Sequence, residues 1–204
     1  MLHMKKLSAS FYERNNVVQI ARELLGKMLV TTWKGVRTSG RIVETEAYAG
    51  LQDKASHAFR GRTPRTAVLF DTTGAAYVYL CYGLHQMFNI STNKDGLPHA
   101  VLIRGVEPIE GVDAMLLRTG KKVADYSLTR GPGNVGKAFG FHRSQSGLSL
   151  QSDDLFIADD GYQLNADAIG VSPRIGVAYA GEDALLPYRF FIKGNPYVSG
   201  KHKT

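Results

Sequence analysis

The feature that most constrains this chain is a series of strand-like segments that follow one another across short turns. The run AAYVYLCYG (75–83) is rich in aromatic and β-branched residues, and LHQMFNIST (84–92) continues at once across Gly83. The segment 27–48 has the same character, with a turn at Lys34–Gly35. Short connections join antiparallel strands, because a parallel pair needs a crossover of about a dozen residues or more. The sequence therefore predicts an antiparallel sheet.

The remaining segments add helices and further strands. An apolar pattern with helical spacing spans residues 17–25, with Asn15 or Asn16 as the candidate N-cap and Gly26 as the candidate stop. Residues 49–74 are predicted to form a loop rich in glycine, arginine and threonine. The other predicted elements are helices over 110–122 and 134–140, and strands over 99–108, 155–158, 174–180 and 188–193. This order favours an α+β domain over a doubly wound parallel sheet.

Composition places the chain among ordinary globular proteins. It has 204 residues, of which 44% are hydrophobic and 21% charged, and this predicts a single domain over residues 1–204. No apolar run approaches the roughly 18 residues of a membrane span, so we expect neither such a span nor a secretion signal. The single cysteine, Cys81, excludes an internal disulfide and fits a reducing compartment.

Positive charge is concentrated in the first third of the chain. The formal net charge is +7, and residues 1–70, with 12 basic and 5 acidic side chains, carry that excess by themselves. Arg60, Arg62 and Arg65 cluster in this part, between glycine and proline residues. Such a loop either contacts the phosphates of a nucleic acid or is a solvated surface loop, and the sequence leaves both interpretations open.

The glycine-rich segment 131–138 (GPGNVGKA) resembles two nucleotide-binding patterns and satisfies neither. A Rossmann loop must follow a buried strand, and residues 123–130 (VADYSLTR) do not form one. A Walker A loop needs Ser or Thr after its lysine to hold Mg²⁺, whereas this chain has alanine there. Glycines before a helix leave backbone N–H groups free, so Gly133, Asn134 and Lys137 are candidates for holding a DNA phosphate. A plain glycine turn that caps a helix is the alternative.

Carboxylates suited to acid–base chemistry occur in the segment RIVETEAY. Strand alternation places Glu44, Glu46 and Tyr48 on one face. A carboxylate beside a tyrosine, on a strand that enters a loop, is suited to act as a base next to a stacking surface. The structural alternative is an ion pair between Glu46 and either Arg41 or Arg104, which is predicted to end the strand after the hairpin.

Aromatic side chains predict a surface that binds a flat ring. Tyr77 and Tyr79 share one face of a strand, and Tyr82 points the other way if the pairing stays regular. His57 lies in the preceding loop, and Asn89 lies on the second limb of the hairpin. Ordinary packing in the fold would explain any one of these residues taken singly. Together with the carboxylates and the basic charge, they indicate a protein that stacks a flat ring and performs acid–base chemistry beside a polyanion.

The chain closely resembles the alkyladenine DNA glycosylase family, also called 3-methyladenine or methylpurine DNA glycosylases. The resemblance covers residues 10–199 and is carried by RIVETEAYAGLQDKASHAFRGRTPRT, YVYLCYGLHQMFNIS, VLIRGVEPIEG and RFFIKGNPYVS. These enzymes hydrolyse the N-glycosidic bond of damaged purines in DNA. The resemblance implies one compact α+β domain with a curved, mostly antiparallel sheet, flanking helices, mobile termini and a protruding β-hairpin that enters the DNA minor groove.

The resemblance also implies roles for individual residues. Glu46 would be the general base that activates a water molecule, and Arg104 would help to place that water. Tyr48 and His57 would stack on one face of an extruded base, and Tyr79 on the other.

Two further roles and the reaction type follow from the same resemblance. Asn89 would line the base pocket and disfavour normal guanine, and Tyr82, at the hairpin tip, would fill the gap left in the duplex. With no lysine in the motif beside Glu46, we expect a monofunctional hydrolase that needs no metal or cofactor. Its expected partner is double-stranded DNA carrying alkylated or deaminated purines. We expect a monomer without a protein partner, in a bacterial cytoplasm beside the nucleoid.

Two other functions remain open at this point. One is a non-catalytic DNA-binding module with the same fold, against which the combination of Glu46 with the tyrosines argues. The other is a nucleotide-dependent enzyme that uses residues 131–138, against which the alanine after the lysine argues.

Overall fold

An antiparallel sheet forms the centre of the protein in the computed structural model, which describes residues 4–92 and 96–200. Within these residues the strands are β1 (Lys5–Lys6), β2 (Met28–Trp33), β3 (Val36–Tyr48), β4 (Ala76–Cys81), β5 (His85–Thr92), β6 (His99–Glu110), β7 (Leu155–Asp159), β8 (Ile169–Ser172) and β9 (Arg189–Ile192). Their order is β1-β7-β2-β3-β6-β5-β4, and β9 pairs with both β3 and β8. The pairings between named strands are antiparallel, so the predicted α+β class is confirmed.

Short helices surround the sheet. They are α1 (Ala9–Tyr12), α2 (Val17–Glu23), α3 (Ala67–Asp71), α4 (Val112–Thr119) and α5 (Pro132–Ala138), and 3-10 turns occur at Gly50–Gln52, His57–Arg60, Tyr126–Leu128, Arg143–Gln145, Ala166–Ala168 and Ala178–Leu185. Helix α2 begins where predicted, because the Asn16 side chain accepts a hydrogen bond of 3.0 Å from the Gln19 N–H. Helix α4 is shorter than predicted, since Gly111 and Gly120 flank it in the left-handed conformation.

The main hydrophobic core lies between this sheet and the helices. Tyr12, Leu24, Phe88, Ile103 and Phe139 are among its fully buried members. Burial of each such side chain stabilises the fold by about 1.5–3 kcal/mol. No helix of the described part of the chain has the length and apolar character needed to cross a membrane. The single-domain prediction and the mobile termini remain predictions, and the ends of the chain lie outside the described residues.

Three predictions about elements were wrong. The predicted loop over residues 49–74 contains helix α3 (Ala67–Asp71) and two 3-10 turns. Residues 174–180 (RIGVAYA) are not a strand, and instead form an extended turn that leads into the 3-10 segment Ala178–Leu185. The backbone is left-handed at Gly176 (φ +80°) and Gly181 (φ +61°), which prevents regular pairing. Arg104 does not end its strand, because β6 continues to Glu110.

The predicted hairpin consists of β4 and β5, and Tyr82 lies at its tip. Cys81 pairs with His85, and the turn between them is closed by a hydrogen bond of 3.1 Å from the Leu84 N–H to the Cys81 carbonyl. Tyr82 adopts a left-handed backbone (φ +49°), an uncommon conformation for a residue with a side chain, and 90% of its surface is exposed. The ring therefore stands away from the protein. That the hairpin enters DNA remains a prediction.

Close packing explains Gly136 in the segment 131–138. Helix α5 lies against the start of β5, and a Cβ at Gly136 would lie 1.8 Å from the carbonyl oxygen of Gln86. A Cβ at Gly133 would lie 2.7 Å from the His85 ring. Position 136 needs glycine because the helix approaches the backbone of the hairpin limb there, whereas a Cβ at position 133 would meet only the exposed His85 side chain, which can move.

This contact generates a stability prediction. Gly136→Ala should lower the free energy of unfolding by about 1–3 kcal/mol, because the helix and the strand must move apart. Lys137→Ala, an exposed change in the same helix, is the control and should have little effect. Urea denaturation followed by circular dichroism measures both, and equal stability of the two variants would contradict the packing account.

Candidate active site

Glu44 and Glu46 lie on the same face of β3, and neither side chain is exposed. They meet the facing strand β6 at an irregular point of the sheet. The register steps from Glu44↔Gly105 to Thr45↔Ile103, which leaves Arg104 as the extra residue of a β-bulge. A bulge re-aims the side chain that it carries. Here the bulged residue is Arg104, and its guanidinium group lies between the two carboxylates.

Arg104 bridges both glutamates. Its Nε lies 3.1 Å from Glu44 Oε1 and its Nη1 lies 3.3 Å from Glu46 Oε1. Of the two alternatives for an ion pair with Glu46, Arg104 is the partner, since Arg41 pairs with Asp160 instead. The positive charge of Arg104 therefore partly balances the negative charges of both buried carboxylates.

A second arginine and the chain's late residues hold Glu44. Arg189 Nε lies 2.7 Å from Glu44 Oε1, and Ser199 donates to the carboxylate from its backbone N–H (2.7 Å) and from its hydroxyl (3.0 Å). Arg104 Nη2 also donates to the Ser199 hydroxyl oxygen at 3.2 Å. Glu44 thus accepts several hydrogen bonds inside the protein, and these fix the orientation of Arg104.

Glu46 has fewer partners. Besides Arg104, Oε1 accepts a hydrogen bond of 2.8 Å from the Ile175 N–H, and Oε2 accepts one of 2.8 Å from the Tyr48 hydroxyl. A carboxylate oxygen accepts two hydrogen bonds, so Oε2 retains a position for another donor such as water.

A cavity of about 700 Å³ lies beside the residues that hold this carboxylate. Tyr48, Arg104 and Ile175, the residues that hold Glu46, all line the cavity, although Glu46 itself does not. An inner recess of about 40 Å³ adjoins it, lined by residues that include Tyr77 and Asn89. The recess has space for only a few water molecules, so a purine would have to open it.

Aromatic side chains form the wall between recess and cavity. The His57 ring contacts the Tyr79 ring edge to face, with centroids 4.5 Å apart, and Tyr77 lies 5.5 Å from Tyr79. His57 Nδ1 is 2.9 Å from the Tyr77 hydroxyl. The predicted stacking residues are therefore brought together, but no gap separates His57 from Tyr79 in this conformation. Burial, together with Arg65, lowers the pKa of His57 to about 4, which leaves its ring neutral at physiological pH.

Tyr48 is held from behind by a group that the sequence analysis missed. The Arg174 guanidinium lies over the Tyr48 ring at 4.8 Å, and it pairs with buried Asp53 through two hydrogen bonds. Arg174 directly precedes Ile175, whose N–H binds Glu46. One short segment thus fixes both the ring and the carboxylate. The only signal in the sequence was an arginine at the start of the run RIGVAYA.

The three loop arginines have different surroundings. Arg65 lies over the Tyr79 ring at 5.0 Å and reaches the His57 ring nitrogens at 3.4 Å. Arg62 forms an exposed ion pair with Asp71 at 2.5 Å, and Arg60 lines the cavity. Two of the three therefore border the predicted base site.

The other predicted residues fall into two places. Asn89 lines the recess, where its Nδ2 donates to the Tyr77 carbonyl at 3.2 Å. Helix α5 borders the cavity only through Pro132, while Asn134 and Lys137 donate to the carbonyls of Arg130 and Thr119. Phosphate contacts by Gly133, Asn134 and Lys137 remain predictions. No group of three metal-ligating side chains occurs in the ranges 4–92 and 96–200.

The lowered pKa of His57 generates a prediction for stability against pH. The unfolded chain binds a proton at this residue near pH 6.5, whereas the folded protein does so only near pH 4. Stability should therefore fall as the pH drops through this window, by up to about 3 kcal/mol, and level off below it. His57→Gln should remove this part of the pH dependence. Urea unfolding of both proteins at several pH values measures the difference, and parallel curves would contradict it.

Most of the chain is similar to known proteins. A family model for methylpurine-DNA glycosylase (MPG) matches residues 10–196. The chain is 43% identical over 202 residues to a protein of Clostridium acetobutylicum, covering 95% of this chain and 97% of that one. It is 44% identical to proteins of Bacillus cereus strain G9842 (94% and 98% covered) and Methanocella arvoryzae (96% and 96%). All three carry the name "Putative 3-methyladenine DNA glycosylase". The chain belongs to the methylpurine-DNA glycosylase family, whose members are DNA repair hydrolases that act on N-glycosyl bonds.

Proposed function

We propose that this protein extrudes damaged purines from duplex DNA and hydrolyses their N-glycosidic bond with a water molecule activated by Glu46, leaving an abasic site. The observation that carries the proposal is the position of Glu46, which lies behind an aromatic cavity and keeps one acceptor position on Oε2. 3-Methyladenine, the base in the relatives' names, is the first substrate to test, and deaminated purines such as hypoxanthine are further candidates.

Extrusion comes first, because a glycosidic bond is not accessible inside a stacked duplex. The cost of unstacking is a few kcal/mol, and an inserted ring offsets part of it. Tyr82 suits this role, since it is exposed at the end of a hairpin whose limb is braced by α5. Alkylated bases also pair more weakly, so they flip at lower cost.

Binding of the extruded base requires the recess to open. Arg65 must leave the face of Tyr79, and a DNA phosphate at the cavity mouth is a suitable new partner for its guanidinium. Tyr79, Tyr48 and the neutral His57 would then meet the base. Purines alkylated at N3 or N7 are cationic, so they bind electron-rich tyrosine faces well and are not repelled by a neutral histidine. Asn89 would line the pocket where the exocyclic amino group of a normal guanine would lie, and would thereby disfavour guanine.

Hydrolysis follows from the charge that develops on the sugar. As the base departs, positive charge builds at the sugar carbon, and the Glu46 carboxylate stabilises it and takes a proton from the attacking water. Arg104 touches both Glu46 and the cavity, so it is placed to orient that water. The attacking water would occupy the remaining acceptor position of Oε2, beside the Tyr48 hydroxyl. A cationic purine leaves without an added proton.

The substrate also determines where and how the protein works. DNA of a bacterial cell lies in the nucleoid, so the protein would act in the cytoplasm beside it. All residues invoked above come from one chain, which suits a monomer.

The role of Glu46 generates a kinetic prediction. Glu46→Gln should slow single-turnover release of 3-methyladenine by roughly 100- to 10,000-fold, because the base for water is lost. Affinity for a duplex with a stable abasic analogue should persist. Release is followed by chromatography of the free base, in EDTA and without nucleotide.

Glu44→Gln is the matched control for this variant. It removes the same charge from the same arginine, but the other partners of Glu44, Arg189 and Ser199, do not line the cavity, whereas Tyr48 and Ile175, the other partners of Glu46, do. We therefore expect a much smaller loss of rate. Near-normal release by Glu46→Gln would exclude Glu46 as the base. Equal losses in both variants would indicate that only the ion-pair network matters.

Tyr82 generates a second prediction. Tyr82→Ala should reduce base release from duplex DNA by roughly tenfold or more, through lost stacking in the gap, while the thermal midpoint stays unchanged. Leu84→Ala, which is also strongly exposed at the tip (79%), is the control. Both are assayed on duplex and single-stranded substrates, since a single strand needs no wedge. A loss that is equal on both substrates would contradict the wedge.

A further inference from the structure

Tyr179 is an aromatic residue at the mouth of the recess that no sequence pattern singled out. It lies in the segment wrongly predicted as a strand, and 70% of its surface is exposed. A ring this exposed contributes little to the core. Its placement is nevertheless fixed, because its hydroxyl donates to the Ala55 carbonyl at 3.0 Å.

The turn that carries Tyr179 is anchored on both sides. Its neighbours Val177 and Ala180 are buried, and the Ala180 N–H donates to the Val177 carbonyl at 2.9 Å. Further along, Asp183 accepts a hydrogen bond of 2.8 Å from the Lys54 N–H through its side chain. The protein therefore presents an exposed ring from a well-supported backbone, as a binding residue requires and a mobile surface loop does not.

The position of Tyr179 relative to the two spaces indicates what it meets. Residues that line both the inner recess and the outer cavity are Tyr48, Ser56, His57, Tyr79 and Tyr179. In the proposed reaction the base occupies the recess and the sugar remains in the cavity. The bond to be broken lies at the boundary between them, and a residue on that boundary is next to the sugar end of the nucleotide.

We propose that Tyr179 is a further substrate-binding residue, whose ring packs against the deoxyribose of the extruded nucleotide and holds it in the flipped position. This inference rests on the proposed function. The apolar face of a tyrosine ring fits the C–H groups of a sugar, and burying both removes apolar surface from water.

Three variants test the contact. Tyr179→Ala removes the ring, Tyr179→Phe keeps it and removes only the hydroxyl, and Leu185→Ala is the control. Leu185 belongs to the same 3-10 segment, is similarly exposed (74%) and lines neither space. Each protein is assayed for single-turnover release of 3-methyladenine, and for affinity to an undamaged duplex and to one with a tetrahydrofuran abasic analogue.

Tyr179→Ala should lose roughly tenfold in release rate and in affinity for the abasic-analogue duplex, which retains a sugar but no base. Affinity for the undamaged duplex should not change. Tyr179→Phe and Leu185→Ala should stay within about threefold of the unmodified protein on all measures.

Three outcomes would overturn the inference. Identical behaviour of Tyr179→Ala and Leu185→Ala would show that the ring makes no contact. A loss in Tyr179→Phe as large as that in Tyr179→Ala would show that the hydroxyl acts by tethering Ala55. Unchanged affinity of Tyr179→Ala for the abasic analogue would exclude the sugar. A failure of the unmodified protein to release any methylated purine would instead overturn the proposed function itself.

Discussion

The arrangement of the site depends on one guanidinium group shared by two buried carboxylates. Glu44 and Glu46 lie two residues apart on one strand face, where their charges would repel each other in a medium of low dielectric constant. Arg104 lies between them and removes most of that repulsion. Buried ion pairs are stable only when the remaining donors and acceptors are also paired, and Arg189 and Ser199 supply this for Glu44. Glu46 therefore has fewer hydrogen-bond partners than Glu44, and it lies behind the cavity.

The base site is closed in the free protein, and one group that closes it resembles the proposed substrate chemically. A flat cation, the Arg65 guanidinium, lies over the Tyr79 ring where a cationic purine would bind. The Tyr48 hydroxyl covers one oxygen of Glu46. The Arg65 contact is an exposed cation–π interaction, so a cationic base can replace it. The Tyr48 hydroxyl instead donates a charge-assisted hydrogen bond of 2.8 Å to a buried carboxylate, which holds Glu46 in place.

Sequence patterns within short segments predicted much of this structure. The hairpin with Tyr82 at its tip, the helix capped by Asn16 and the β2–β3 turn at Lys34–Gly35 follow from residue types at short spacing. The shared face of Glu44 and Glu46 follows from strand alternation. The roles given to these side chains came from the family resemblance and remain proposals.

What the sequence did not predict depends on contacts between distant segments. The bulge that carries Arg104 is a register shift between two strands, and register is not visible within either strand alone. Likewise, Ile175 and Tyr179 reach the site because Arg174 binds Asp53, more than a hundred residues earlier. The glycines at 133 and 136 resembled a ligand loop, whereas their neighbours are His85 and Gln86.

The hydrogen bonds of Ser199 have a consequence for the folding of the protein. Glu44 and its partner Ser199 are more than 150 residues apart in the sequence. Contacts of such long range form only after the entropy cost of closing a long loop has been met. We therefore expect the full set of hydrogen bonds around Glu44 and Arg104 to be among the last parts of the site to assemble.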